Sequence, residues 1–242
     1  MARYGMVIDL DKCVGCQACS LACKSENNVP FGSPGEQKRR VDIYWHKVIA
    51  ASEGKYPTQS MEMIPMPCMH CDHPPCVNVC PVKATYKRED GIVMQNTRRC
   101  IGCRYCIIAC PYGVRNFNDK AQEETPYQRT DLPEDMGLDG DKFYGPWPFP
   151  HRTRGVVEKC TYCFHRISAA EKQIEEGEDV VIGSDRPDGV VPACVEACPT
   201  GARFFGDLDN PDSVVSQLMA TRDPFVLKEA QGTNPKTIYL PR

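Results

Sequence analysis

The chain has 242 residues, of which 25% are charged and 41% hydrophobic, and its formal net charge is −3. These proportions are typical of globular proteins, and so small a net charge gives no indication of a nucleic-acid partner. No run of about 18 apolar residues occurs, so we expect no transmembrane helix. The first cysteine stands at position 13, too early for a signal peptide to precede it, so none is expected.

Several segments in the first half of the chain have the character of β-strands. The apolar run Tyr4–Asp9 leads directly into the first cysteines, and a further strand is expected at Val41–Ala50. Ala84–Tyr86 and Ile92–Met94 flank the dipeptide Asp90-Gly91, a combination that predicts a β-hairpin.

The second half of the chain is predicted to contain a long insertion, a strand and two helices. The insertion at 119–154 is rich in proline, glycine and acidic residues, and its aromatic residues favour order against a partner or its own surface. Gly155–Glu158 is the predicted strand. Residues 164–176 fit an amphipathic helix. Its apolar face is formed by three residues, Ile167, Ala170 and Ile174. Asn210 is the expected N-cap of the last helix.

The chain contains sixteen cysteines, which fall into four sets of four. The first and third sets have the spacing C-x2-C-x2-C-x3-C, the second has C-x2-C-x4-C-x3-C, and the fourth has C-x2-C-x30-C-x3-C. This is the ligand spacing of cubane iron–sulfur clusters. The sets are Cys13, Cys16, Cys19 and Cys23; Cys68, Cys71, Cys76 and Cys80; Cys100, Cys103, Cys106 and Cys110; and Cys160, Cys163, Cys194 and Cys198.

Disulfides and zinc are the two alternative uses of so many cysteines. Disulfide scaffolds are usually short chains, and they do not need three sulfurs within one short loop. Structural zinc sites use two well-separated cysteine pairs, whereas the first and third sets each offer a triplet and one further cysteine. Three of the four sets also end in Cys-Pro. We therefore expect iron, bound as four 4Fe-4S clusters.

The bacterial two-cluster pattern assigns the cysteines to clusters, because the fourth cysteine of each run in that pattern ligates the neighbouring cluster. Here it crosses the second set with the third and the first set with the fourth. The predicted ligands are Cys13, Cys16, Cys19 and Cys198 for cluster 1; Cys68, Cys71, Cys76 and Cys110 for cluster 2; Cys80, Cys100, Cys103 and Cys106 for cluster 3; and Cys23, Cys160, Cys163 and Cys194 for cluster 4. The alternative is that each set closes on itself, which requires every final cysteine to bend back to its own cluster.

The crossed assignment predicts an α+β fold of two interlocked, bacterial ferredoxin-like modules with loop insertions. The inner module spans 61–118, the outer module combines 1–60 with 155–242, and 119–154 is the inserted loop. Every iron would have a cysteine ligand, so no coordination site stays open for a substrate and no catalytic residue is predicted. The chain also lacks dinucleotide and phosphate-binding loops. We therefore expect electron transfer without catalysis.

Polar residues beside the cysteines have two predicted roles. Each oxidised cluster with four thiolates adds a charge of about −2, so nearby cations are expected to compensate it. The candidate cations are Lys12, Lys24, Arg98, Arg99, Arg104, Arg115, Lys159 and Arg166. His70, His73 and His165 are expected to be hydrogen-bond donors or structural groups, because the cysteines already supply every ligand.

Further motifs accompany the cysteines and carry a family resemblance. They are Gly5–Leu10, Cys19–Lys24, Cys160–Arg166, Pro192–Thr200 and Gly206–Asp209. With the four cysteine sets, they resemble the four-cluster subunit of the dimethyl-sulfoxide-reductase-family molybdoenzymes. The similarity covers nearly the whole chain and is greatest to the arsenate, polysulfide and thiosulfate reductase branches.

The resemblance implies that the chain transfers electrons between a molybdopterin catalytic subunit and an integral membrane quinone-reactive subunit of a respiratory complex. It implies the same crossed ligand assignment. It also implies four 4Fe-4S clusters, because the third set keeps all four of its cysteines. A peripheral position on the extracytoplasmic face of the membrane is expected, with the cytoplasmic face as the alternative. The competing functions are a free soluble polyferredoxin and a zinc-stabilised binding module.

Overall fold

The computed structural model describes residues 2–29, 32, 35, 42–119 and 153–242. Nearly all of the 119–154 insertion therefore lies outside the described residues, as does the start of the strand expected at Val41. The strands are β1 (Tyr4–Asp9), β2 (Lys47–Glu53), β3 (Ser60–Met66), β4 (Thr85–Lys87), β5 (Val93–Gln95), β6 (Asn116–Asn118), β7 (Val156–Glu158), β8 (Arg203–Asp207) and β9 (Thr237–Leu240).

The helices of the described segments are short, and several consist of a single turn beside cysteines. They are α1 (Ala18–Glu26), α2 (Pro75–Asn78), α3 (Tyr105–Ile108), α4 (Phe164–Glu175), α5 (Ala193–Glu196) and α6 (Val214–Thr221). Among the described residues, no helix has the length and apolar character needed to cross a membrane.

The largest sheet has the order β8-β1-β9, with β1 antiparallel to β8 and parallel to β9. Every residue of β1 is buried, because the strand contacts apolar residues on both of its faces. Met6 and Ile8 pack into the main core, whereas Val7 packs on the other face against Val215 of α6 and Leu240 of β9. This two-sided burial explains the continuous apolar run in the sequence, and the predicted strand is confirmed.

Three two-stranded sheets complete the strand structure of the described ranges: β2-β3, β4-β5 and β6-β7. The predicted hairpin is confirmed, since β4 pairs antiparallel with β5. The Asp90 carboxylate accepts a hydrogen bond from the Ile92 amide at 2.9 Å, and Gly91 has a φ of 81°. The strand expected at Val41–Ala50 is observed as β2, which begins only at Lys47. It extends past the predicted end to Glu53, because β2 pairs with β3 over its whole length.

Two helices differ in detail from their predictions. α4 has the predicted position, with Ile167 and Ala170 fully buried, but Ile174 in its last turn is exposed. α6 does not use Asn210 as its N-cap. Ser213 is the cap, and its Oγ accepts a hydrogen bond from the Ser216 amide at 3.2 Å. Asn210 instead stabilises the preceding turn, because short polar side chains bond readily to a backbone amide two residues ahead.

Candidate metal centres

The first and third cysteine sets fold into the same backbone loop. Gly15 and Gly102 both have a φ of 69°, and Gln17 and Arg104, which follow the second cysteine, both have a φ of 62°. A side chain at Gly102 would place its Cβ atom 2.2 Å from the Gly155 carbonyl oxygen, so the loop requires glycine there. The shared conformation shows that the two sets are structural repeats and not merely similar sequences.

Short helices bring the cysteine sets together in pairs. α1, which carries Cys19, packs against α5, which carries Cys194. α2, which carries Cys76, packs against α3, which carries Cys106. The first set therefore lies beside the fourth, and the second set lies beside the third.

A cavity that is partly open to solvent lies between the second and third sets. Four cysteines in its wall are Cys68, Cys71, Cys76 and Cys110. These are the residues predicted to bind cluster 2, and Arg115 lies in the same wall. Burial raises the pKa of Cys71 to about 12, and the charges of the other three sulfurs contribute to that shift.

A second cavity, also partly open to solvent, lies between the first and fourth sets. Four cysteines in its wall are Cys13, Cys16, Cys19 and Cys198. These are the residues predicted to bind cluster 1, and Arg203 lines this cavity as well. Burial raises the pKa of Cys19, whereas the positive charge of Arg203 acts in the opposite direction.

The cysteines predicted for cluster 4 form the most enclosed group. Cys23, Cys160, Cys163 and Cys194 are all buried. Burial raises the pKa of Cys23 well above its ordinary value, and the sulfurs of the other three raise it further. The structure therefore places the last cysteine of the first set among three cysteines of the fourth set.

The cysteines predicted for cluster 3 lie nearer to the surface, and Cys103 is exposed. Burial raises the pKa of Cys106, Arg115 lowers it, and the sulfurs of Cys100 and Cys80 raise it. Cys80 of the second set therefore lies within electrostatic range of the third set. Its own pKa is lowered, because hydrogen bonds from neighbouring backbone amides outweigh its slight burial.

Backbone amides donate hydrogen bonds to cysteine sulfurs at matching offsets in different sets. The bonds run from Ala84 to Cys80 (3.1 Å), from Ala202 to Cys198 (3.4 Å), from His70 to Cys68 (3.5 Å) and from Tyr162 to Cys160 (3.4 Å). Amide donors to sulfur stabilise the thiolate form that binds a metal, and they are one of the determinants of cluster reduction potential.

The donor sets fit a polynuclear iron–sulfur core. All sixteen cysteines are free. Across the described part of the chain, no three or more His, Cys, Asp or Glu side chains converge closely enough to hold a single metal ion. Four sulfurs around a common space suit a sulfide-bridged core. Binding a cationic core releases the protons that burial otherwise holds on these thiols.

His70 and Tyr162 join the second and fourth cysteine sets. Each stands directly before the second cysteine of its set, and their rings stack with centroids 3.8 Å apart. The Val93 amide donates to His70 Nδ1 at 3.0 Å, and the Tyr162 hydroxyl bonds to Thr237 Oγ1 at 2.7 Å. Burial lowers the pKa of His70 well below its ordinary value, so the ring is neutral. These contacts give His70 a structural role.

Among the predicted cations, Lys24, Arg115 and Lys159 are buried. Lys159 Nζ donates hydrogen bonds to the carbonyl oxygens of Val93 and Cys160. It therefore holds the strand before the third set against the start of the fourth. A fixed positive charge in this position can compensate the negative charge of the surrounding thiolates.

Sequence reasoning missed Arg203 and His46. Arg203 is buried, and its Nη2 lies 2.6 Å from His46 Nε2. A signal for Arg203 is present in the sequence, since Cys110–Arg115 and Cys198–Arg203 share the pattern Cys-Pro-x-Gly-x-Arg. No local signal marks His46, because its role depends on contacts with residues distant in the sequence.

Comparisons with known proteins find 4Fe-4S domains in this chain. One family model described as a 4Fe-4S dicluster domain matches residues 59–127, and a second model with the same description matches 12–84 and 99–202. The menaquinone reductase iron-sulfur cluster-binding subunit of Nitratidesulfovibrio vulgaris is 44% identical over 99% of this chain and 89% of its own length. The arsenate respiratory reductase iron-sulfur subunit of Shewanella sp. is 40% identical over 98% and 96%. A subunit of the selenate reductase of Mesobacillus selenatarsenatis is 38% identical over 98% and 72%.

Proposed function

Because the chain belongs to the iron–sulfur subunits of the dimethyl-sulfoxide-reductase-family molybdoenzymes, we propose that it conducts electrons through four 4Fe-4S clusters held by crossed cysteine sets. The observation that carries the proposal is that cysteines of different sets lie near one another, in the walls of the two cavities, around Cys23, and between Cys80 and Cys106. A 4Fe-4S cluster supplies reversible one-electron transfer when bound. The protein holds, insulates and electrostatically adjusts it.

The electron-transfer role itself is established by the family, whose members are iron–sulfur subunits of respiratory reductase complexes. The sequence predictions of the family, of electron transfer and of a non-catalytic chain are thereby confirmed. A free polyferredoxin is disfavoured, since relatives over nearly the full length are named as subunits of larger enzymes. The 4Fe-4S chemistry and the mixed helix-and-strand fold agree with the two dicluster matches.

Several contacts support the crossed ligand sets and the interlocking of two modules. Cys23 lies on α1 with Cys19, yet its electrostatic neighbours are Cys160, Cys163 and Cys194. Within one module, α1 packs on α5, and within the other, α2 packs on α3. Each module thus takes its cysteines from two sets, and the boundaries expected from the sequence, 61–118 and 1–60 with 155–242, remain our proposal.

The four sites are proposed to follow one another in the order 1, 4, 2, 3. α1 carries Cys19 of cluster 1 and Cys23 of cluster 4, so these two sites are adjacent. Burial raises the pKa of Cys160 to about 12, and the sulfur of Cys68 is among the charges that raise it further, which supports contact between sites 4 and 2. The packing of α2 on α3 supports contact between sites 2 and 3.

The two ends of this order coincide with the two exposed cysteines. Of the sixteen cysteines, only Cys16 of cluster 1 and Cys103 of cluster 3 are exposed. Exposed apolar side chains lie beside them in the sequence: Val14, Ile101, Tyr105 and Ile108. We propose that these two ends contact the partner subunits, one a molybdopterin catalytic subunit and the other an integral membrane quinone-binding subunit. The chain would then lie peripherally on the membrane. It would lie at the extracytoplasmic face if it is exported together with the catalytic subunit, and at the cytoplasmic face otherwise.

The ligand assignment is tested by comparing serine variants of three cysteines. Cys163→Ser identifies the electron paramagnetic resonance signal of cluster 4, and Cys16→Ser identifies that of cluster 1. With crossed sets, Cys23→Ser changes the signal that Cys163→Ser changes. If it changes the signal that Cys16→Ser changes, each set closes on itself and the crossed assignment is wrong. Ser25→Ala, on the same helix, is the control, and the unsubstituted chain should contain about sixteen irons.

A further inference from the structure

We propose that Arg115 and Arg203 set the reduction potentials of the clusters in pairs, with one buried arginine serving the two clusters of each module. Arg115 would serve clusters 2 and 3, and Arg203 would serve clusters 1 and 4. The inference rests on the proposed cluster sites and adds to them a role for residues that bind no iron. Neither side chain is required as a ligand, so burying its charge needs another explanation.

Both arginines carry a buried charge without an acidic partner. Arg115 Nη2 donates to Thr85 Oγ1 at 2.9 Å and to Gln95 Oε1 at 2.5 Å, and both acceptors are neutral. Arg203 Nη2 donates to His46 Nε2. Burial, and then the charge of Arg203, lowers the pKa of His46 well below its ordinary value, so this partner is neutral as well.

Unpaired buried charges are costly, and proteins rarely keep them. Within the described ranges, no carboxylate lies within ion-pair distance of Arg115 or Arg203. By contrast, the buried Lys236 is paired with Asp72 at 2.9 Å. The counter-charge of the two arginines must therefore come from the cysteine sulfurs and from the groups that they bind.

Each guanidinium also has donors that no atom of the described residues satisfies. The Nε and Nη1 atoms of both Arg115 and Arg203 are buried and have no hydrogen-bond partner in that part of the chain. Buried donors are almost always satisfied. Arg115 lines the cavity with the cluster 2 cysteines, and Arg203 lines the cavity with the cluster 1 cysteines. The free donors are thus available to acceptors bound in those cavities, and a cluster supplies such acceptors as sulfur atoms.

Each arginine acts on cysteines of two sites. Burial opposes the charge of Arg115, but sulfurs of both sites outweigh it and raise its pKa above the ordinary value. Those sulfurs are Cys68, Cys76 and Cys110 of cluster 2 and Cys106 of cluster 3. Burial likewise opposes the charge of Arg203, and sulfurs again raise its pKa. These are Cys194 of cluster 4 and Cys19 and Cys198 of cluster 1.

The two arginines are equivalent positions of one repeated motif. Each is the fifth residue after the last cysteine of its set, in the pattern Cys-Pro-x-Gly-x-Arg. The glycines of the two motifs, Gly113 and Gly201, have nearly the same conformation, with φ of 62° and 59°. The first and second sets carry Asn28 and Thr85 at the corresponding position. One arginine is therefore provided for each pair of sites.

A fixed cation beside a cluster favours the reduced form, because reduction adds one negative charge to the site. The interaction is strong when little water screens it, and donors to sulfur act in the same direction. An arginine shared between two sites raises both of their reduction potentials together. The difference between the two potentials of one module therefore stays small. Because arginine keeps its proton at all ordinary pH values, this contribution does not depend on pH.

The test is a redox titration, followed by electron paramagnetic resonance, of the full chain purified with the subunits that accompany it. In Arg115→Gln, we expect the midpoint potentials of clusters 2 and 3 to fall and those of clusters 1 and 4 to stay constant. In Arg203→Gln, we expect the reverse. A tenfold change in the ratio of reduced to oxidised cluster corresponds to about 59 mV, and a shift of at least this size is expected. Arg186→Gln is the control, since Arg186 is exposed and paired with Asp179 and Asp188.

Iron content separates this inference from the proposed function. If a glutamine variant keeps about sixteen irons and all four potentials are unchanged, the role of the arginine is refuted while the cluster sites stand. If a glutamine variant loses iron, the midpoint potentials are measured instead in Arg115→Lys and Arg203→Lys. Lysine keeps the positive charge but not the forked donors of arginine. A smaller shift confined to the two clusters of one module supports the proposal. A shift of all four clusters, or of none, contradicts it.

Discussion

The cysteines assigned to cluster 4 and those assigned to cluster 3 share a ligand chemistry but differ in surroundings. All four in the first group are buried, whereas the second group includes the exposed Cys103. In the first group, Cys163 is flanked in the sequence by Tyr162 and Phe164, which are both buried. The second is flanked by Ile108, which is 81% exposed. Groups of four cysteines therefore lie in the interior in one place and near the surface in another.

The spacing of the cysteines determines which metal they suit. The packing around the cysteines determines whether a site is enclosed or reaches the surface. A site enclosed on all sides can exchange electrons only with its neighbours inside the chain. A site at the surface can exchange them with another protein. Substitutions beside the enclosed cysteines and substitutions beside the exposed cysteines should therefore have different effects on stability and on partner binding.

Removal of iron should have the largest effect. Burial raises the pKa of Cys160 and Cys71 to about 12, and Arg115 and Arg203 lose their counter-charge when the sulfurs become neutral thiols. Because metal-binding energy is folding energy in such sites, we expect loss of cooperative thermal unfolding after chelation. Mass spectrometry during chelation should show clusters 1 and 3 leaving first, since these sites include the exposed cysteines. Simultaneous loss of all four would contradict the burial difference.

The next largest effect is expected from Tyr162→Ala, which removes the ring stacked on His70 between the buried sites. Truncating a buried aromatic side chain costs about 3–5 kcal/mol. The matched control is Tyr105→Ala at the exposed cluster 3 site, where the side chain is 55% exposed and the expected change is within about 0.5 kcal/mol. Denaturant unfolding of both variants checks this, and equal losses would show that the two regions are packed alike.

A smaller effect is expected from Glu26→Gln, near the buried cluster 4 cysteines. The Glu26 carboxylate accepts hydrogen bonds from His165 Nε2 at 2.7 Å and from Arg166 Nη2 at 2.8 Å. Burial alone would raise the pKa of Glu26, but these donors outweigh it and lower the pKa. Loss of hydrogen bonds to a charged group costs about 1.5–3 kcal/mol.

The pH dependence of the Glu26→Gln effect follows from the sign of that shift. A lowered pKa in the folded chain stabilises it above the unfolded pKa of about 4.3, and this contribution is lost as the pH falls through the lower, folded value. The difference in unfolding free energy between the variant and the unsubstituted chain should thus be constant from about pH 8 to pH 5. A difference that changes between pH 8 and pH 6 would contradict this assignment, because Glu26 stays ionised over that range.

The smallest effect on stability is expected from Ile108→Ser at the exposed end. Its side chain is almost fully solvated, so the unfolding free energy should change by no more than about 0.5 kcal/mol. Co-purification of the partner subunit proposed to contact this end should nevertheless decrease. Ile174→Ser is the control, because Ile174 is also exposed but lies in the last turn of α4. Equal retention of partners by both variants would exclude this face as a contact.

Local patterns predicted the local structure well. The strand β1 and the hairpin around Asp90 and Gly91 formed as expected, since both depend on residues close together in the chain. The predicted N-cap of α6 was wrong. Asn210 and Ser213 are both good capping residues, and only the packing of the helix selects Ser213. β2 continued beyond its predicted end, because its length is set by pairing with β3.

The sequence by itself determined the metal chemistry and the family, because ligand spacing and the Cys-Pro turns are properties of short segments. The tertiary structure decided which sites are buried and which charges face them. Arg203 meets His46 from 157 residues away, and Tyr162 meets His70 across two cysteine sets. Contacts of this kind depend on how separate segments pack, and packing between distant residues leaves no periodic trace in the chain.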